Sequence, residues 1–140
     1  MSFYQFPIDV PSDCPPTDST YVGPGWLGYR LAQYNHGGTK IRERSFYTRY
    51  ANKGLLDQCT DLALSVFLNV NDAREELDKS SRDKKTWHVV AVETPLNVLS
   101  TNYGLIVHTP RSGDSHHDWW PHGNLTAQQL IDMCGPVQEE

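Results

Sequence analysis

In Thr86-Trp-His-Val-Val-Ala-Val-Glu93, the residues Trp87, Val89, Val90, Ala91 and Val92 leave neither face of an extended segment polar. Such a run fits only where a strand is covered on both sides, so it predicts a strand lying centrally in a sheet. Pro95 removes a backbone donor and ends the strand. Whatever else the chain forms must therefore include sheet neighbours and two covering layers.

Shorter segments supply those partners. Trp26 to Tyr34 reads as a first strand, closed by a turn at Asn35-His-Gly-Gly. Leu64, Val66, Leu68 and Val70 alternate as a strand does, whereas Leu55, Leu56, Cys59 and Leu62 have helical spacing. Leu105-Ile-Val-His108 is a further strand, reached after a turn at Asn102-Tyr-Gly. Asp72 with Glu75 forms a helix start, with a polar helix continuing to about Ser80. Thr126 with Gln129 forms another start, and Gly135-Pro136 closes that helix. The order predicts an α+β fold, a small, mostly antiparallel sheet with two or three short helices. Five of the nine prolines fall before Gly25, so residues 1–25 read as an extended arm and residues 26–140 as one domain.

Composition narrows the function classes. With 38% apolar and 21% charged residues over 140 positions, the chain has the makings of one folded core. No run is long enough for a membrane span and the start lacks the pattern of a signal peptide, which predicts a cytoplasmic protein. Cys14, Cys59 and Cys134 are scattered and odd in number, giving neither a disulfide framework nor a zinc motif. The triplet at Asn124 reads as part of a helix start rather than a glycosylation site. A net charge of −5 argues against nonspecific coating of nucleic acid.

Four of the six histidines, His108, His116, His117 and His122, crowd one stretch together with Asp114, Asp118, Trp119 and Trp120. Imidazole exchanges protons and ligates metals near neutral pH, which makes this the candidate catalytic segment. It is expected to be a strand-end loop after His108. In extended backbone Asp114, His116 and Asp118 would share a face and could take a divalent metal, with His117 pointing the other way. Without metal, one histidine serves as general base and another as general acid on a phosphorylated or nucleotide substrate. The competing reading is a structural loop whose histidines bond to backbone while Trp119, Trp120 and Pro121 cover the sheet edge.

A second cluster is cationic. Arg42, Arg44 and Arg49 with Tyr47 are candidates for holding a phosphate beside a stacked ring, although a solvated helix face explains the same residues. Arg30, on the first strand, is either a pocket cation or the edge of the sheet. His88 reads as a core histidine. The alternative function is a noncatalytic interaction module, with exposed Trp119 and Trp120 as the anchor for a protein partner and the basic segment as its charge complement.

The succession Leu64-Ser-Val, Val89-Val-Ala-Val, Val107-His-Thr-Pro and Ser115-His116 resembles small bacterial proteins of the same layout, over about half the chain. The resemblance implies no activity; it implies that Ser115 and His116 belong to a recurring site.

Overall fold

The structure, a computed structural model, describes residues 18–46, 63–96, 103–110, 113–121 and 125–138. Within them seven strands form one antiparallel sheet in the order β1-β5-β6-β3-β2-β4-β7. These are β1 (Thr20–Tyr21), β2 (Leu27–Gln33), β3 (Leu64–Phe67), β4 (Trp87–Glu93), β5 (Leu105–His108), β6 (His116–Trp120) and β7 (Cys134–Val137). Among the described residues two helices, α1 (Val70–Lys79) and α2 (Ala127–Asp132), and a 3-10 turn at Glu43–Phe46 accompany the sheet, an α+β fold. No helix among the described residues is long and apolar enough to cross a membrane.

The sheet is covered on both sides, as β4 requires. Leu31, Phe67, Val89 and Ala73 form a cluster under α1, with Tyr29, Val70, Leu77 and Trp87 packed against it. On the other face the larger cluster joins Ala32, Val66, Val90, Val92 and Trp119 to Leu130 of α2 and Phe46 of the 3-10 turn. Odd and even positions of β4 therefore enter different cores, which explains its unbroken apolar run. β4 pairs with β2 along its length and with β7 on the other side, so it lies next to the sheet edge rather than centrally.

Several elements differ from the sequence reading. The histidine segment is not a loop: His116–Trp120 is a strand hydrogen-bonded to β3 and β5 together. The strand from Leu64 stops at Phe67, because Asn69 already caps α1 by accepting from the Asn71 N–H. Asp72, expected as that cap, sits inside the first turn and is engaged elsewhere. β7 falls where only a helix stop was expected; its Pro136 is tolerated because β7 is an edge strand. The sheet also reaches back into the Pro-rich segment, since Thr20 and Tyr21 pair with Ile106 and Leu105. The capping box of Thr126 and Gln129 forms as expected. The helix read over Leu55 to Leu62 lies outside the described residues.

Beside α2, the Cys134 thiol donates to the Leu130 carbonyl at 3.5 Å, and burial pushes it up to about 12. Only the thiolate alkylates rapidly. Iodoacetamide at mildly alkaline pH is therefore expected to spare Cys134 in the folded protein and label it after denaturation, as peptide mass spectrometry would show.

Candidate functional site

Strand periodicity divides the histidines. In the β6 register His116 stands opposite Phe67 and His117 opposite Val66. Phe67 belongs to the core under α1 and Val66 to the core on the α2 side, so the adjacent imidazoles leave the sheet on opposite faces. His116 is 1% exposed, edge-on to Phe67 at 5.2 Å, and donates from Nδ1 to the Thr109 carbonyl at 2.8 Å. That imidazole is a packed part of the β5–β6 hairpin. It also borders a cavity of about 180 Å³ shared with Arg30, Arg82 and Trp87.

His117 meets His108 instead. The two are cross-strand partners, with ring centroids 4.9 Å apart and planes tilted by 33°. His108 Nε2 donates to the Asp114 carbonyl, and His117 Nδ1 donates to the Ser115 carbonyl at 2.7 Å. A carbonyl only accepts, so each bond places the ring proton on the nitrogen it engages. The pair borders a groove of about 400 Å³ whose other lining residues include Asp18, Thr20, Trp26 and Ile106. Trp26 crosses Gly28 to reach Trp119 at 6.0 Å; a Cβ on Gly28 would fall 2.3 Å from the Trp26 ring, so only glycine lets the indole lie there.

The remaining candidates do not join this pair. Among the described residues no three His, Cys, Asp or Glu side chains are placed to hold a metal ion, so Asp114, His116 and Asp118 do not form the expected ligand set. Asp114 is exposed on the turn, while His116 and Asp118 are buried in β6. The expected exposure of Trp119 and Trp120 is corrected as well: they are 0% and 2% exposed, so neither presents the partner anchor. Both lie in a strand with neighbours on each side, where a tryptophan is packed rather than displayed. Arg30 donates to the Ser65 carbonyl at 2.7 Å and to the Ser45 carbonyl, and lies over the Phe46 ring at 5.0 Å. It ties the 3-10 turn to β3. Arg42 and Arg44 are exposed at that turn. Tyr47, Arg49 and His122 lie outside the described residues. His88 is half-buried, edge-on to Tyr34 at 5.5 Å.

The sequence reading missed Asp72 as a contact of this hairpin. Its Oδ2 accepts from the Ser115 N–H at 2.9 Å and the Ser115 hydroxyl at 2.7 Å. The Ser115 proton is thus committed to a carboxylate, and His117 faces the Ser115 carbonyl rather than its hydroxyl, so the two form no nucleophile and base pair. The only signal in the sequence was an acidic residue in a first helical turn, which a capping role also explains.

Those Ser115 bonds, the hydroxyl first and then the amide, hold the Asp72 carboxyl below its ordinary value, with Lys79 adding to the effect. A lowered folded value contributes stability above the ordinary carboxylate range, and this is lost as pH falls through the folded value. Wild type is accordingly expected to lose more urea resistance than Asp72→Asn between about pH 6 and about pH 3. Parallel loss in the two proteins would contradict it.

No family model, curated protein or solved structure matches the chain, so its site is read from its own geometry.

Proposed function

We propose that the protein is a small cytosolic enzyme in which His108 and His117 exchange protons with a phosphorylated or nucleotide substrate seated in the groove beside Trp26. The observation that carries this reading is the cross-strand pair itself: two imidazoles at one groove, each with one nitrogen tied to a backbone carbonyl. Two such groups supply the base and the acid of a phosphoester hydrolysis. One takes the proton of the attacking water, and the other protonates the oxygen that leaves phosphorus. The protonated partner provides the cationic contact for the phosphoryl oxygens, and the flat face of Trp26 suits a base ring.

The reading is metal-free, because Asp114, His116 and Asp118 are not brought together. Arg42 and Arg44 are not part of it, since neither is among the residues bordering the groove. A cytosolic setting accords with the free thiol of Cys134. A panel of nucleotides, phosphomonoesters and phosphodiesters tests the proposal. Turnover is expected in wild type and to fall about 10²–10⁴-fold in His108→Ala plus His117→Ala; a wild-type rate in that folded double variant would overturn it.

A further inference from the structure

The two carbonyls that orient the pair belong to consecutive residues. Asp114 O takes the His108 proton and Ser115 O takes the His117 proton. Whatever fixes this turn therefore fixes both imidazoles at once.

The turn is held from the far side of the sheet. Asp72, in the first turn of α1, binds Ser115 through both its amide and its hydroxyl. The Asn69 amide donates to the same hydroxyl at 2.9 Å, and the Leu68 amide donates to the Ser115 carbonyl at 3.2 Å. Gly113 closes against the helix at φ +136°, where an added Cβ would lie 3.2 Å from both Cβ and Cγ of Asp72. A charge-assisted clamp thus joins the start of α1 to the two carbonyls.

We infer that Asp72 is a positioning residue for the His108–His117 pair, acting through Ser115 to set the ring tautomers and their spacing. Asp72 takes no part in proton transfer. Its carboxylate anchors Ser115, and the Ser115 and Asp114 carbonyls select Nδ1–H on His117 and Nε2–H on His108. The functional consequence rests on the acid/base reading above; the structural claim does not need it.

Long-range proton–nitrogen NMR on uniformly 15N-labelled protein in alkaline buffer reads the tautomer of each histidine directly. Wild type is expected to show His117 protonated at Nδ1 and His108 at Nε2. In Asp72→Ala both rings should lose this fixed assignment, their two nitrogen shifts drawing together. His116, bound to Thr109 on the other face, should keep its Nδ1–H signal and report an intact hairpin. Asp72→Asn, which keeps an acceptor oxygen, should restore much of the separation, a rescue that a merely bulky residue would not give. Ser115→Ala, which removes the 2.7 Å bond, should shift both rings in the same direction as Asp72→Ala.

Unchanged His108 and His117 signals in whichever of Asp72→Ala and Ser115→Ala is folded would overturn the inference. If the tautomers are lost while turnover of a substrate found in the panel persists, the positioning role stands and the acid/base reading falls. If wild-type tautomers are as expected and the double histidine variant alone loses turnover, with the Asp72→Ala signals intact, the reverse holds.

Discussion

Trp119→Ala is expected to remove about 3–5 kcal/mol of stability, the range for truncating a fully buried large aromatic side chain. Trp119 has no exposed surface, lies beside Trp26, and donates from Nε1 to the Tyr103 carbonyl at 2.8 Å. Its loss leaves a cavity in the larger core and an unmet carbonyl, both in a strand flanked by β3 and β5. Set against the roughly 5–15 kcal/mol of an ordinary domain, such a loss leaves a marginal fold. Urea unfolding should show it, with Trp119→Phe falling between the two because it fills most of the space but cannot donate. A midpoint for Trp119→Ala close to wild type would mean that the side chain is not packed where the structure places it, and would revive the exposed partner anchor.

Changing the histidine pair should have the opposite profile. His117→Ala and His108→Ala are each expected to lower turnover about 10²–10⁴-fold, the usual contribution of general acid–base catalysis. Stability should change little, since His108 is exposed and His117 is only half-buried. The double variant should be scarcely worse than the worse single one, because an acid and a base that act on one transition state are not additive. His116→Ala should instead lower the unfolding midpoint, its ring being buried against Phe67. A wild-type rate in His117→Ala, or loss only in His116→Ala, would move the chemistry to the other face.

Much of the fold was legible because local pattern and tertiary outcome agree. The apolar run of β4 required two cores and has them, and Thr126 with Gln129 caps α2 by chemistry contained in four residues. The histidine segment was legible only in part. Alternation placed His117 opposite to His116 correctly, but Ser-His-His-Asp-Trp-Trp-Pro lacks the apolar alternation that announces a strand; pairing with β3 and β5 makes it one. The role of Asp72 was illegible for a related reason. A carboxylate in a first helical turn satisfies the helix equally well as a cap, and only the arrival of Ser115 across the sheet decides its use. β7 was hidden by Gly135-Pro136, which stops a helix by local rules while remaining acceptable at a sheet edge.

The division of the histidines between two faces can be measured without a substrate. Folded protein treated briefly with diethylpyrocarbonate and mapped by peptide mass spectrometry should be modified at His108 and His117 well before His116, whose ring is 1% exposed. Modification of His116 at the same rate as His117, with the fold intact by circular dichroism, would contradict the placement on which the site depends.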